Sequence, residues 1–154
     1  IVEKGFKGFR PGAKLDKLTA VAQCSFAEAD LTGATASEAA FLEADLQGAQ
    51  LRGANLDGAL FRGCDMAGAD LYRVVARSCR FDKVDLSRAV LTGANLLSSC
   101  LRKTAVAGAS FVGANLFDAD LLMLSGDHDT DFSEALVDRV RMVHRDGGLR
   151  QFDA

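Results

Sequence analysis

From residue 26 to residue 121 an apolar side chain returns at every fifth position, twenty times in unbroken register. Phe26, Leu31, Ala36 and Phe41 open the series, and Phe111, Leu116 and Leu121 close it. Two residues before each sits a small one almost every time, usually alanine, with Cys24, Cys64 and Cys79 in the same column. Between the two, Asp or Asn recurs, as at Asp45, Asn55, Asp65, Asp70, Asp85 and Asn95. Two residues after the apolar position, Gly recurs, as at Gly33, Gly48, Gly53, Gly58 and Gly63. A helix repeats every 3.6 residues and a strand every 2, so neither produces a period of five. Two inward positions per repeat, one large and one small, describe a chain that turns a corner each time. Gly frees the backbone near the corner, and Asp or Asn bonds neighbouring backbone groups in the turn. The predicted architecture is an all-β solenoid.

These residues resemble the pentapeptide repeat family, whose motif is A(D/N)Lxx. Good copies are Ala44-Asp45-Leu46, Ala54-Asn55-Leu56, Ala69-Asp70-Leu71, Ala94-Asn95-Leu96, Ala114-Asn115-Leu116 and Ala119-Asp120-Leu121. The resemblance implies a right-handed quadrilateral β-helix with four repeats to a coil. Four repeats per coil demand a second period of twenty residues. One face then stacks Phe41, Phe61, Phe81, Leu101 and Leu121, a phenylalanine ladder that agrees with four sides. The next stacks Phe26, Leu46, Met66, Leu86 and Val106. Successive coils are expected about 4.8 Å apart, the strand spacing.

A solenoid needs covered ends. Residues 1–21 read as an irregular N-terminal arm and cap, in which Ala13-Lys14-Leu15 resembles a repeat one residue out of register. Residues 22–123 are the pentapeptide-repeat β-helix. Residues 124–154 read as a loop, an amphipathic helix and a tail. Asp131 followed by Glu134 looks like a capping box. Phe132, Leu136, Val140 and Val143 then fall at helical spacing, and Gly147-Gly148 ends the pattern. A C-terminal α-helix is therefore expected over residues 132–146. Its apolar side would cap the last coil or, as similar helices do in some family members, pair two copies into a homodimer.

Composition narrows the chemistry. The net charge is −3, with +3 in residues 1–23, −3 in residues 24–123 and −3 in residues 124–154. Nothing approaches the roughly 20 apolar residues that span a bilayer. The expected location is soluble: cytoplasmic, or organellar (chloroplast or thylakoid) if a targeting segment has been removed. The four cysteines form no CxxC pair, and Cys24 and Cys64 stand two coils apart, too far for a disulfide. Asp127, His128, Asp129 and Asp131 alternate like a cation loop but lack the later Gly and Glu of an EF-hand. No catalytic triad or phosphate loop is recognisable. The expectation is no enzyme, no metal and no cofactor.

Outward positions carry the functional expectation. Arg62, Arg80, Lys83, Arg102 and Lys103 fall on one face, with Glu43 and Asp82 as the opposing charges. Asp45, Asp65 and Asp85 stack on another, in the turn-bonding column. Leu97, Val112, Phe117, Leu122 and Met123 are apolar at outward positions of the last coils, which marks contact surface. The expected function is protein–protein interaction: a non-enzymatic scaffold or structural subunit of a larger, organellar or photosynthetic, assembly. The family resemblance implies an alternative, a DNA mimic that modulates a topoisomerase such as gyrase. The outward acids are sparse for that role, and nucleic acid is not an expected partner.

Overall fold

In the computed structural model, residues 10–16 and 21–142 are described. Four short strands form one parallel sheet in chain order: β1 (Val21–Ala22), β2 (Ala40–Leu42), β3 (Leu60–Arg62) and β4 (Arg80–Asp82). Val21 pairs with Phe41, Phe41 with Phe61 and Phe61 with Phe81, each twenty residues on. Single parallel bridges keep the same step on the other three sides, as in Asp45 to Asp65, Asp70 to Val90 and Asn95 to Asn115. A five-residue repeat with a twenty-residue register gives four repeats per coil, so the rod has four faces. They are named here by a central inward residue: the Phe61, Met66, Leu71 and Ala76 faces, in the order the chain visits them.

The two inward columns make the core. All twenty large positions from Phe26 to Leu121 are buried, none more than 3% exposed. The phenylalanine ladder forms as expected. Phe41 stacks on Phe61 at 4.9 Å and Phe61 on Phe81 at 5.4 Å, with planes 3° and 7° apart. Burial of each such ring contributes about 1.5–3 kcal/mol.

Most corners are closed by a four-residue turn, such as Ala49 N–H to the Leu46 carbonyl at 3.1 Å and Ala54 N–H to Leu51 at 3.0 Å. The third turn residue is left-handed. Glycine fills it often, but fourteen non-glycine residues also hold a positive φ there, from Gln23 to Arg139. An L residue in that region costs about 1–2 kcal/mol, so coil geometry overrides local preference at those positions.

The Phe61 face turns differently. After Phe41 and Phe81 no such backbone bond closes the corner. Side chains of the next coil supply the donors. Cys64 Sγ–H donates to the Phe41 carbonyl at 3.3 Å, and the Thr104 hydroxyl to the Phe81 carbonyl at 3.1 Å. This accounts for a cysteine and a threonine in a column otherwise rich in alanine.

Residues 132–142 do not form the expected C-terminal helix. Among the described residues there is no helix, and the five-residue winding continues to residue 142. Ser110 bridges Asp131, Asn115 bridges Leu136 and Asp120 bridges Arg141, so the step is twenty-one instead of twenty. One extra residue sits in the corner loop 126–130. There the Asp127 carboxylate takes the Gly108 N–H at 2.9 Å, replacing the backbone carbonyl that serves elsewhere. Past the loop, Phe132, Val137 and Met142 fill the large column, and Ala135 and Val140 the small one. Phe132 stacks on Phe111 at 4.7 Å. Leu136, expected on the helix's apolar side, points outward and is 46% exposed. Val143 lies outside the described residues.

At the other end the out-of-register repeat is real. Lys14 bridges Thr35, a step of twenty-one, and Leu15 is buried. Asp16 accepts the Thr35 hydroxyl at 2.7 Å and the Ser37 N–H at 2.9 Å. Lys4, Lys7 and Lys17 lie outside the described residues.

Candidate interaction surfaces

Burial pushes the Cys64 thiol up and the Cys79 thiol well up, which keeps both protonated. Cys24, Cys64 and Cys79 are buried, and Cys100 is half-buried. The described residues contain no grouping of His, Cys, Asp and Glu able to hold a metal ion. The His128 side chain is 85% exposed and meets only Asp129, at 3.4 Å. No helix among the described residues is long and apolar enough to cross a membrane.

The basic strip lies on the Phe61 face, but two of its five charges are already matched. Arg62 Nε meets Asp82 at 3.4 Å. Arg102 Nε meets Asp120 at 2.7 Å, and Arg141 reaches the same carboxylate at 3.6 Å. Asp120 was missing from the expected opposing charges. It occupies the turn-bonding column one coil above Cys100, and its side chain is 7% exposed. Arg80, Lys83 and Lys103 are exposed and make no ion pair with the described residues.

On the Met66 face the aspartates serve the fold. Asp45, Asp65 and Asp85 each accept the backbone N–H two residues on, at 3.1, 3.0 and 2.8 Å. On the Leu71 face, Tyr72 lies between two guanidinium groups, Arg52 at 4.8 Å and Arg73 at 5.3 Å from its ring centre. Arg52 also pairs with Asp70 at 3.1 Å.

The expected apolar patch is divided. Leu97 and Phe117 stack on the Ala76 face, beside Leu136. Val112 lies on the Leu71 face. Leu122 and Met123 lie at the C-terminal end of the Phe61 face. Most are half-buried by their neighbours, and Arg139 covers Phe117 at 5.8 Å. Met123 stands apart at 56% exposed. Leu97, Val112, Phe117 and Leu122 each follow a large inward residue and Met123 comes one place later, so their residue numbers already assign them to three different sides.

A four-sided parallel solenoid with a filled core and its charge on flat outer faces defines a repeat-built β-solenoid protein. The chain belongs to the pentapeptide repeat family: the family model for pentapeptide repeats matches eight copies over residues 24–63, 44–81 and 69–105. No curated protein matches it significantly. Among solved structures it is similar to a trypsin-treated variant of QnrB1, a plasmid-mediated fluoroquinolone resistance protein. Identity is 16%, TM-score 0.52, and the match covers 86% of this chain and 88% of that one. This likeness shows the fold. A pentapeptide repeat protein of the Arabidopsis thaliana thylakoid lumen is 29% identical over 70% of each chain, with TM-score 0.34. HetL of the cyanobacterium Nostoc, involved in heterocyst differentiation regulation, is 21% identical over 90% of this chain and 85% of its own, with TM-score 0.34.

Proposed function

We propose that this protein is a non-enzymatic protein-binding rod, a scaffold or a subunit of a larger assembly. The observation that carries this reading is the division between inside and outside. Stacked apolar side chains fill the interior, and burial holds the Cys64 and Cys79 thiols protonated. The charges that lack partners, and the exposed Met123, are all on the outer faces. A rigid parallel stack presents them at fixed spacing, about 4.8 Å per coil, which suits recognition of another macromolecule.

Chemical cross-linking followed by affinity capture tests this reading. A stable protein partner recovered in stoichiometric amount is the expected result. A rod that stays free under cross-linking, in extracts of its own source, would overturn it.

A DNA-mimic role toward a topoisomerase has one supporting feature, the aspartate column on the Met66 face. Duplex DNA carries one negative charge per roughly 1.7 Å of axis. The column offers one per coil, each with an oxygen already turned to its own backbone. A gyrase supercoiling assay decides: no effect at high protein concentration removes this second reading.

A further inference from the structure

One corner column breaks a rule that the others keep. A charged residue in the left-handed corner position is followed, one coil on, by glycine or by an opposite charge. Glu43 is followed by Gly63, Arg73 by Gly93 and Arg88 by Gly108, while Asp118 is followed by its ion-pair partner Arg139. The long side chain leans along the rod over that glycine: a Cβ on Gly93 would come within 3.2 Å of Arg73 Cγ. On the Phe61 face the same column reads Lys83, Lys103, Met123. All three are left-handed, with φ of 54°, 54° and 60°.

This arrangement is unfavourable in three ways. Each residue carries the strain that glycine would relieve. The two lysines are like charges directly opposite across adjacent coils, which destabilises. The 56% exposed Met123 then leaves an apolar side chain in water. Arg80 lies on the same face, also unpaired. The aspartate column on the next face stacks like charges too, but each carboxylate there closes a turn. No such structural service is visible for Lys83 and Lys103.

We propose that the C-terminal half of the Phe61 face docks an acidic polypeptide segment of another protein that carries one apolar side chain. Arg80, Lys83 and Lys103 meet its carboxylates, and Leu122 with Met123 receives the apolar group. The inference deepens the protein-binding reading and rests on it. Charge complementarity selects the occupant: the described part of this face sums to +3, in a chain whose total is −3. Nucleic acid is disfavoured because tight phosphate binding takes about 6–10 contacts, and three uncommitted cations are available. The Met66 face of a second copy carries a stack of aspartates, but Asp45, Asp65 and Asp85 already accept backbone N–H groups in turns.

The probe is a short fluorescent peptide of glutamates and aspartates with one central phenylalanine. Its counterpart has serine in that place. In anisotropy titrations the phenylalanine peptide is expected to bind saturably. Lys83→Glu with Lys103→Glu should weaken it by about tenfold or more. Met123→Ser should weaken the phenylalanine peptide severalfold and leave the serine peptide unchanged. Arg52→Glu, the same charge change on the Leu71 face, should alter neither. Equal loss from Arg52→Glu, or no loss from the lysine pair, overturns the proposal. So does tighter binding of an oligonucleotide of matching length, or a dimer seen by sedimentation that the lysine changes dissociate. Affinity capture with the lysine variant separates the two levels. If wild type and variant hold the same partner equally, this docking face is wrong and the protein-binding reading stands; if neither holds one, both fail.

Discussion

The ring of Phe132 stacks on that of Phe111 with centres 4.7 Å apart and planes 9° from parallel. Twenty-one residues separate them, so coil-to-coil stacking on the Leu71 face survives a one-residue slip in the chain. Phe132 is therefore a core residue of a further coil, and Leu136 is not its helical neighbour but an outward side chain. Phe132→Ala should cost about 2–3 kcal/mol, below the 3–5 typical of fully buried rings because the position is half-buried. Leu136→Ser should be within about 0.5 kcal/mol of neutral. Urea denaturation measures both. A large loss from Leu136→Ser with little from Phe132→Ala would restore the helix.

The repeat from 26 to 121 was legible because two columns, large and small, repeat together twenty times. The stretch after it was misread for a physical reason. Phe132, Leu136 and Val140 fit a period of 3.6, while Phe132, Val137 and Met142 fit a period of five. In so short a stretch the two patterns compete. Asp131 did not decide between them. Its carboxylate accepts the Ser133 N–H at 2.8 Å, the same bond to the residue two ahead that Asp45 or Asp85 makes in a coil corner, and one also available to a helix cap. The surface was legible only in part. Membership of a face follows from residue number, so the basic strip could be placed. Which of its charges are matched depends on side-chain reach, and Arg102 and Arg141 converging on Asp120 has no signature in the spacing.

Ser99 occupies the small inward column between Cys79 and Ala119, 1% exposed, and its hydroxyl has no hydrogen-bond partner. Alanine fits this column at most coils. Ser99→Ala should stabilise the rod by about 1 kcal/mol, because a buried unpaired polar group costs roughly 1–3 kcal/mol. The check is a rise in the urea midpoint with unchanged slope. A fall would mean that the hydroxyl has a partner, such as an ordered water.

The open corners of the Phe61 face make opposite demands. Thr104→Val keeps shape but removes the donor to the Phe81 carbonyl, and should cost about 1–2 kcal/mol. Cys64→Ser keeps a donor at the equivalent site and should be close to neutral, whereas Cys64→Val loses it. A stability ranking of serine above valine at position 64 supports the bond. The reverse ranking would show that apolar volume alone matters at this corner.

Stability should be flat from neutral pH down to about pH 5 and fall below about pH 4. Three carboxylates set this window. Asp57 is held below its ordinary value of 3.8 by the Arg77 guanidinium, whose Nε lies 3.0 Å from Oδ2, with the Arg77 backbone N–H adding 2.8 Å to Oδ1. Asp127 is lowered chiefly by the Gly108 N–H, and Asp131 by the hydroxyl and then the N–H of Ser133. A folded value below the unfolded one means stability is fully present above the unfolded value and is lost as pH falls through the folded one. Asp127 matters most for architecture, because its carboxylate bonds the inserted loop to the coil below. Asp127→Asn should lower stability at pH 7 and flatten the acid decline, since an amide oxygen still accepts the Gly108 N–H but carries no titrating charge. Asp57→Asn should do the same on the Ala76 face, with Arg77 left without its counter-charge. Denaturant midpoints at pH 7 and pH 3 for each variant provide the measurement. An acid decline as steep in both variants as in the wild type would mean that other carboxylates govern it.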